Sequence, residues 1–219
     1  MLNLNQYIDH TLLKATATEE EIRQLCQEAI EHQFYAVCVN SSYVSLAARH
    51  LSGTSVKVCA VVGFPLGASA TETKIQEAQL AVSHGASEID VVVNLGKFKS
   101  KDHSYVEAEL QQIKLAIGNR VLKVILETCY LSQEEIELLS KIAVKAKADF
   151  VKTSTGFGSR GASEQDVVLM RDAIKNQGAI KASGGIRTLR KALDYIELGV
   201  ARIGTSSGVA IMQELKEEK

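Results

Sequence analysis

Strand-like and helix-like segments alternate from one end of the chain to the other, and this alternation limits the folds that the chain can adopt. Eight short apolar segments have the character of buried strands, and their starts are 21 to 33 residues apart. Each interval has room for a strand, a loop and a helix, as connections between parallel strands require. The predicted strands are Ile8–Leu12, Ala36–Asn40, Lys57–Val62, Glu88–Val93, Val121–Glu127, Asp149–Thr153, Ala179–Ala182 and Ala201–Gly204.

Helix signals fill the intervals between these strands. Thr18 with Glu21, and Ser132 with Glu135, have the spacing of capping boxes at helix starts. The segment 102–117 has apolar residues at helical period and is followed by a glycine, a common helix stop. The sequence therefore predicts helices between successive strands, and a last helix from about residue 206 into the charged tail.

Eight strand–helix units in a chain of 219 residues predict an α/β fold, the (β/α)8 or TIM barrel. No proline-rich or serine-rich linker divides the chain, and Pro65 is its only proline, so we expect a single domain over residues 1–219. The alternative is an open, doubly wound sheet with a Rossmann-like site. The sequence has neither a GxGxxG motif after its first strand nor a P-loop motif, which favours the barrel.

The composition argues against several kinds of partner. The net charge is −1, so no basic field indicates nucleic acid or an anionic membrane, and no apolar run reaches the length of about 18 residues that a membrane span needs. Cys26, Cys38, Cys59 and Cys129 are scattered without a CxxC pair, and the histidines lack paired-ligand spacing. We therefore expect no metal site, and reduced thiols in a cytoplasmic protein without a signal peptide.

Two lysines near the ends of successive predicted strands are the first candidates for chemistry. Lys152 in VKTSTGFG and Lys181 in IKASGGIRT each end an apolar run, where a charged amine is costly to bury. Two ammonium groups about 4 Å apart repel by about 4 kcal/mol at an effective dielectric near 20, which lowers one lysine pKa by about 3 units. One amine is then neutral and can attack a carbonyl carbon. The alternative for each lysine is a cation that binds phosphate.

Asp90 interrupts the apolar run EIDVVVN in the fourth predicted strand. If Ile89 and Val91 face the helices, the alternation of a strand turns Asp90 and Val92 towards the barrel axis. A carboxylate in that position has to be paired or protonated. Two roles remain open for it: structural partner of an inward lysine, or proton transfer.

Two glycine-rich stretches follow the seventh and eighth predicted strands. SGGIRT contains Gly184 and Gly185, which allow close backbone approach, and IGTSSG contains Ser206 and Ser207 at a helix start. TIM barrels commonly bind phosphate at this place through backbone N–H groups and a helix N-terminus. The alternative is ordinary turn glycines and helix-capping serines.

These motifs, taken in order, resemble those of the deoxyribose-phosphate aldolase family of class I aldolases. The matching stretches cover nearly the whole chain, and VKTSTGFG with KASGGIRT is the most specific pair. They are IDHTLLK, VCVN, VVGFPLG, EIDVVVN, VLKVILET, VKTSTGFG, KASGGIRT and RIGTSSG. The resemblance implies a barrel without metal or organic cofactor that reversibly cleaves 2-deoxy-D-ribose 5-phosphate to D-glyceraldehyde 3-phosphate and acetaldehyde.

The resemblance also implies roles for individual residues. Lys152 matches the lysine that forms the Schiff base, Lys181 the lysine that perturbs it and joins in proton transfer, and Asp90 the acid/base aspartate. A sugar phosphate and an aldehyde are the implied partners, and a homodimer or homotetramer is expected by analogy. The other matching positions are Gly156, Gly184, Gly185, Gly204, Ser206 and Ser207 around the phosphate, Cys38 near the aldehyde end, and Asp9, Thr11, Lys14 and Lys123 as supporting polar groups.

The chain departs from some family members at two positions. Phe157 stands where some members have a phosphate-binding lysine, so phosphate binding is expected to depend on backbone and serine donors. Some members end in a tyrosine that reaches the site, whereas the last tyrosine here is Tyr195 and the chain ends in EEK. Ordered water with Asp90 and Lys181 is expected to take over the proton step assigned to that tyrosine.

Three other functions remain open from the sequence. One is another Schiff-base aldolase, of the transaldolase or fructose-phosphate type. The second is a phosphate-binding barrel isomerase that uses lysine and aspartate as acid and base. The third is a sugar-phosphate binding protein without catalysis, whose amines would titrate normally.

Overall fold

Eight parallel strands form a closed barrel in the computed structural model, which describes residues 3–217. Each strand pairs with the next one in the chain, and the last pairs with the first, so the sheet has no free edge. The predicted TIM-barrel fold is confirmed, and the open-sheet alternative is wrong. The strands are β1 Ile8–Leu12, β2 Ala36–Val39, β3 Lys57–Val62, β4 Glu88–Val92, β5 Val121–Ile125, β6 Phe150–Lys152, β7 Ala179–Ser183 and β8 Arg202–Thr205.

Helices follow the strands and surround the barrel. Within residues 3–217, none of them combines the length and the apolar character needed to cross a membrane. The last predicted helix is confirmed but begins at Gly208, and residues 218 and 219 of the predicted tail lie outside the described residues. The helices are α1 Glu19–Glu31, α2 Val44–His50, α3 Thr71–Ser83, α4 Leu95–Lys99, α5 His103–Ile117, α6 Gln133–Lys145, α7 Glu164–Ile174, α8 Leu189–Glu197 and α9 Gly208–Glu217.

The eight predicted strands are all observed, with ends that differ from the prediction by no more than two residues. The largest difference is at β5, which was expected to reach Glu127 but ends at Ile125. Glu127 has a φ of 51°, in the left-handed region that a strand cannot use. The chain turns there because the buried Glu127 side chain accepts hydrogen bonds from Thr155, beyond the next strand.

The two faces of the barrel strands have different chemistry. Ile89 and Val91 of β4 belong to the large apolar core between the strands and the helices, as do Val124, Val151 and Ile180 of the strands that follow. Residues that alternate with them point to the barrel axis, and many are charged. The predicted orientation of β4 is therefore confirmed. Outward apolar side chains pack the helices against the strands, and the inward positions are occupied by polar groups.

The predicted capping boxes at the starts of α1 and α6 are confirmed. The Oγ atom of Ser132 accepts a hydrogen bond from the Glu135 N–H at 3.3 Å, and the Glu135 carboxylate accepts one from the Ser132 N–H at 2.9 Å. Thr18 and Glu21 make the same reciprocal pair before α1. Both boxes satisfy N–H groups that a helix start otherwise leaves unpaired.

Replacing a capping serine should destabilise the barrel measurably. Ser132→Ala is expected to lower the free energy of unfolding by about 1 kcal/mol, because the Glu135 N–H loses its acceptor. Urea unfolding followed by circular dichroism measures this difference. Gln112→Ala, an exposed change inside α5, is the control and should stay within about 0.5 kcal/mol of the parent. Equal losses in the two variants would contradict the capping role.

Candidate active site

One carboxylate inside the barrel contacts three lysines. Oδ1 of Asp90 accepts a hydrogen bond from Nζ of Lys123 at 2.8 Å. Oδ2 of Asp90 accepts one from Nζ of Lys152 and one from Nζ of Lys181, each at 2.8 Å. The register explains this convergence, because Asp90 is opposite Lys123 on β5, and Lys152 is opposite Lys181 on β7. The structure thus brings together the three residues that the sequence singled out for chemistry.

A second carboxylate stabilises the charge of Lys181. Oδ2 of Asp9, on β1, accepts a hydrogen bond from Nζ of Lys181 at 2.5 Å. Burial alone would lower the pKa of Lys181, but the negative charges of Asp9 and Asp90 outweigh burial and hold that pKa above its ordinary value. Lys181 is therefore the permanently charged amine of the pair.

A further layer of charges lies below these residues. Nη1 of Arg202, on β8, is 2.8 Å from Oδ1 of Asp9 and 3.4 Å from Oε2 of Glu88. Nζ of Lys123 is 2.6 Å from Oε2 of Glu88. Sequence reasoning missed Glu88 and Arg202, although Glu88 lies two positions before Asp90, on the same face of β4. The charge cluster, as we call it, consists of Asp9, Glu88, Asp90, Lys123, Lys152, Lys181 and Arg202.

Both aspartates of the charge cluster are ionised. Burial raises the pKa of Asp90, but the charges of Lys123, Lys152 and Lys181 outweigh burial and hold that pKa well below its ordinary value. Burial likewise opposes ionisation of Asp9, and Lys181 and Arg202 overcome it, so the pKa of Asp9 falls to about 2. Asp90 is thus available as an acceptor of hydrogen bonds and not as a donor.

Lys152 differs from the other two lysines in its surroundings. Its carboxylate contact, among the described residues, is Oδ2 of Asp90, and it shares this atom with Lys181. Lys123 contacts Asp90 and Glu88 closely, and Lys181 contacts Asp9 and Asp90. Lys152 also lines the cavity above the cluster, whereas Lys123 and Lys181 do not. Lys152 therefore has the fewest carboxylate contacts of the three lysines, and it is the one that a small molecule in the cavity can reach.

The cavity opens at the carboxyl ends of the strands and has a volume of about 420 Å³. Its walls come from β1, β6, β7 and β8 and from the loops that follow them. Sequence reasoning did not identify Arg187, which lines the cavity directly after the predicted glycine motif. The predicted site residues in its walls are Thr11, Lys14, Lys152, Gly156, Gly184, Gly185, Gly204 and Ser206.

Besides the residues of the charge cluster, two predicted residues, Ser207 and Cys38, lie outside the cavity wall. Ser207 is at the start of α9, where its N–H donates to Oγ1 of Thr205 at 2.9 Å. Cys38 on β2 is fully buried in a small apolar cluster with Leu13, Cys59 and Val61, beside the cavity. The proximity of Ser207 and Cys38 to a bound molecule stays a prediction.

Two predicted glycines are needed where the structure brings groups very close. A Cβ atom on Gly204 would lie 3.1 Å from Cε of Lys181 and 3.0 Å from Cβ of Ser183. Gly184, with a φ of 86°, has its backbone against Gly161, where a Cβ on Gly161 would be only 2.1 Å from the Gly184 oxygen. Gly204 therefore leaves space for the Lys181 side chain, and Gly184 together with Gly161 lets the β7 loop approach the β6 loop.

The loop after Lys152 is fixed by a residue that the sequence did not identify. The Thr155 N–H donates to Oε1 of Glu127 at 3.2 Å, and the Thr155 hydroxyl also donates to this carboxylate. The N–H of Phe157 donates to Oγ1 of Thr155 at 3.0 Å. Glu127 is buried in the loop that follows the neighbouring strand β5, so only the fold shows the connection.

The supporting polar positions at β1 have contacts of different kinds. The Thr11 hydroxyl donates to the backbone oxygen of Asp9 at 2.8 Å. Lys14 is exposed at the mouth and donates to Oε1 of Glu21 at 2.5 Å. Lys14 is thus a solvated cation that can reach a bound anion, whereas Thr11 stabilises the strand end.

The two positions at which the sequence departs from other family members are well defined in the structure. Phe157 is exposed at the cavity mouth, with its ring 5.3 Å from that of Phe64 in an edge-to-face contact. Tyr195 is buried on α8, and its hydroxyl donates to the Ala162 oxygen at 2.8 Å. Tyr195 is a packing residue and cannot supply protons to the cavity.

Thiol and carboxylate groups lie close together inside the barrel. The ligand-type atoms of Cys38, Cys59 and Asp90 are all within 4.8 Å of one another. However, Nζ of Lys123 is 3.3 Å from Sγ of Cys59 and 2.8 Å from Asp90. An ammonium group at this position repels a metal cation, so these residues are poorly suited to hold one.

The fold and the site together define a TIM-barrel enzyme with an amine at the base of its cavity. A family model described as DeoC/LacD family aldolase matches residues 4–214, and the chain belongs to this family. Among curated proteins, the deoxyribose-phosphate aldolase of Finegoldia magna is 52% identical over 212 residues, which are 97% of this chain and 100% of that protein. The deoxyribose-phosphate aldolase of Aciduliprofundum boonei is 52% identical over 216 residues, 97% of each chain.

Solved structures agree with these sequence relatives. A structure described as QR15, an aldolase, has a TM-score of 0.96 and 44% identity, and the match covers 100% of this chain and 98% of that one. The deoxyribose phosphate aldolase of Aeropyrum pernix, described as a unique tetrameric structure, has a TM-score of 0.91 and 36% identity over 99% of this chain and 92% of that one.

Loss of the central carboxylate should destabilise the fold. Asp90→Asn is expected to lower the free energy of unfolding by about 3–5 kcal/mol near neutral pH, because three buried lysines lose a shared anion. This deficit should shrink as the pH rises, since the poorly compensated lysines then lose protons more readily in the folded than in the unfolded chain. Urea unfolding at several pH values measures both effects.

Asp172→Asn is the matched control for this change. Asp172 is an exposed aspartate on α7 that forms a surface pair with Arg171. Its replacement should change the free energy of unfolding by less than about 1 kcal/mol at every pH. A small, pH-independent effect of Asp90→Asn would mean that Asp90 does not hold the lysines together.

Proposed function

We propose that the protein is a deoxyribose-phosphate aldolase that reversibly cleaves 2-deoxy-D-ribose 5-phosphate to D-glyceraldehyde 3-phosphate and acetaldehyde through a Schiff base on Lys152. The observation that carries the proposal is the position of this amine. It is at the base of the cavity, 2.8 Å from the carboxylate that also binds the charged Lys181. Membership of an aldolase family and the named relatives support the same reaction.

In the cleavage direction, the neutral amine of Lys152 attacks C1 of the open-chain sugar phosphate. Loss of water gives a protonated imine, which draws electrons away from the C2–C3 bond. The charge of Lys181 disfavours a second positive charge at Lys152, and so favours the neutral amine that attack requires. Asp90 accepts hydrogen bonds from both amines and so keeps their nitrogen atoms close.

Bond cleavage then requires removal of the proton on the C3 hydroxyl. We assign this step to Asp90 and Lys181 acting through an ordered water: the proton passes through the water to the Asp90 carboxylate, while the Lys181 ammonium keeps its proton and orients the water by a hydrogen bond. Electrons of the C2–C3 bond move into the imine, glyceraldehyde 3-phosphate leaves, and an enamine remains on Lys152. Protonation of the enamine at C2 and hydrolysis of the imine release acetaldehyde and restore the amine.

The phosphate group is assigned to the part of the cavity wall formed by the loops that follow β7 and β8. Gly184, Gly185 and Ser206 offer backbone and hydroxyl donors there, and Arg187 adds a cation at the mouth. The apolar Phe157 side chain offers no hydrogen bond, so these donors carry the recognition of phosphate. Binding energy from a phosphate held away from the reacting carbons positions them for cleavage and thereby raises the rate.

The remaining sequence-based expectations about the whole protein belong to the same proposal. We expect one catalytic domain over residues 1–219, a cytoplasmic location, and a homodimer or homotetramer. The tetrameric assembly described for the Aeropyrum pernix enzyme supports the last expectation by analogy. No organic cofactor or metal takes part in the proposed reaction, because the protonated imine is itself the electron sink.

Trapping the imine tests the central assignment. Incubation with acetaldehyde and borohydride should attach a reduced two-carbon adduct to Lys152, identified by peptide mapping. Lys152→Met keeps most of the side-chain volume but removes the amine, and should lower the rate of cleavage by roughly 10⁴-fold or more. Circular dichroism establishes that the variant is folded.

Lys141→Ala, a change of an exposed lysine on α6, is the matched control and should leave both the adduct and the rate unchanged. An adduct found only on Lys181 would overturn the assignment. Absence of any adduct in the parent protein would favour an isomerase or a binding protein. An adduct with turnover of other sugar phosphates alone would favour a different Schiff-base aldolase.

An added negative charge on the assigned phosphate wall should weaken binding selectively. Ser206→Asp is expected to raise KM for 2-deoxy-D-ribose 5-phosphate about 10-fold or more through repulsion of the phosphate. The rate with unphosphorylated 2-deoxy-D-ribose should change little, because no anion is then repelled. Ser206→Ala is the control and should have a smaller effect on KM. Equal losses with both sugars would place the phosphate elsewhere.

A further inference from the structure

We infer that Glu88 and Arg202, at the base of the barrel, are positioning residues that set how readily the Lys152 amine gives up its proton. The inference rests on the proposed function, in which this amine must be neutral to attack. Neither residue lines the cavity, so neither touches a bound substrate. Both act through the other members of the charge cluster.

Two chains of ionic contacts connect the base of the barrel to Lys152. Arg202 contacts Asp9 at 2.8 Å, Asp9 contacts Lys181 at 2.5 Å, and Lys181 shares Oδ2 of Asp90 with Lys152. In the second chain, Glu88 contacts Nζ of Lys123 at 2.6 Å, and this amine contacts Asp90 at 2.8 Å. A change of charge at either end is therefore felt at Asp90, the partner of Lys152.

Both residues at the base of the barrel are buried, which keeps these interactions strong. Glu88 is 2% exposed and Arg202 is 5% exposed. The Arg202 guanidinium is stacked on the ring of Tyr35, 3.4 Å from its centroid, and faces the ring of Phe150 at 5.5 Å. Charges in such surroundings are poorly screened and act over longer distances than surface charges.

The charges of the cluster do not balance when all its members are ionised. It holds three carboxylates, from Asp9, Glu88 and Asp90, and four cations. Arg202 is always charged, and Lys123 and Lys181 each have two close carboxylate partners. Release of a proton from Lys152 brings the cluster to neutrality, and Lys152 is the member with least ionic support. The charges of Glu88 and Arg202, at the base of the barrel, therefore influence whether the Lys152 amine, which faces the cavity, carries a proton.

Two thiols, Cys38 and Cys59, also lie in the interior. The hydrogen bond with Cys59 and the charge of Lys181 lower the pKa of Cys38, and the charge count of the cluster is the one with Cys38 as a neutral thiol. Burial and the neighbouring Cys38 thiol and Asp90 carboxylate raise the pKa of Cys59, which stays neutral. Lys14 and Arg187, at the cavity mouth, are exposed and screened by solvent. The groups facing the interior are Asp9 from β1, Cys38 from β2, Cys59 from β3, Glu88 and Asp90 from β4, Lys123 from β5, Lys181 from β7 and Arg202 from β8, with Tyr35 below and Glu127 beside the β6 loop.

A packing role alone would not need charges at these positions. TIM-barrel interiors are commonly filled by branched apolar side chains, and buried ion pairs contribute little net stability compared with apolar residues of similar volume. A pair of opposite charges that contacts the catalytic cluster but not the cavity fits an electrostatic role.

Single charge deletions at the base test this role, because they must have opposite effects. Glu88→Gln removes an anion and should shift the pH at which Lys152 becomes reactive downwards by about one unit. Arg202→Gln removes a cation and should shift it upwards by about the same amount, because a buried unit charge is poorly screened. The double variant restores the net charge and should return close to the parent value.

The readout is the rate of adduct formation on Lys152 with acetaldehyde and cyanoborohydride, measured by mass spectrometry over a series of pH values. Acetaldehyde has no ionisable group, so the midpoint of the profile reports the enzyme and not the substrate phosphate. Arg202→Lys keeps the charge and should keep the midpoint. If one single deletion does not fold, the other single variant and the double variant still test the sign of the effect.

Shifts in the same direction, or unchanged midpoints in Glu88→Gln and Arg202→Gln, would overturn the inference. Loss of rate without a shift would mean that the two residues only support the fold. Failure of the proposed function has a different signature, because the parent protein would then form no adduct on Lys152 at any pH.

Discussion

The rest of the site depends on the hydrogen bonds that the Asp90 carboxylate accepts. It accepts hydrogen bonds from Lys123, Lys152 and Lys181, three lysines on three successive strands. Without an anion between them, these buried ammonium groups would repel one another by several kcal/mol, which would oppose closure of the strands that carry them. The same carboxylate makes the amines available for chemistry, because it holds them beside each other at the base of a cavity.

Stability and reactivity are divided between the two faces of the strands. The outward side chains are apolar and pack against the helices, so the barrel is held together from outside. The inward side chains can then be charged, and the low dielectric of the interior strengthens the interactions between these charges. This arrangement explains how a small barrel tolerates seven buried ionic groups around its axis.

The structure changes the physical picture of the lysine pair. Sequence reasoning placed two ammonium groups next to each other and expected their repulsion to make one of them neutral. The structure inserts Asp90 between them and gives Lys181 a second carboxylate, so Lys181 keeps its proton. The neutral state of Lys152 remains a prediction, and it depends on the charges of the whole interior more than on one neighbour.

Local patterns in the chain were enough to predict the strands, the helices and the barrel, and to mark Lys152, Lys181 and Asp90 as candidates for chemistry. Periodicity, capping spacing and charges within apolar runs are properties of short stretches of sequence. The sequence could not reveal the contacts of Glu88 and Arg202 or the contact of Glu127 with Thr155. Nor could it reveal that Lys181 has two carboxylate partners whereas Lys152 shares one with it. Those features depend on which inward side chains meet when the sheet closes. The register of the closed sheet sets these contacts, because it brings together residues more than 100 positions apart, such as Glu88 and Arg202.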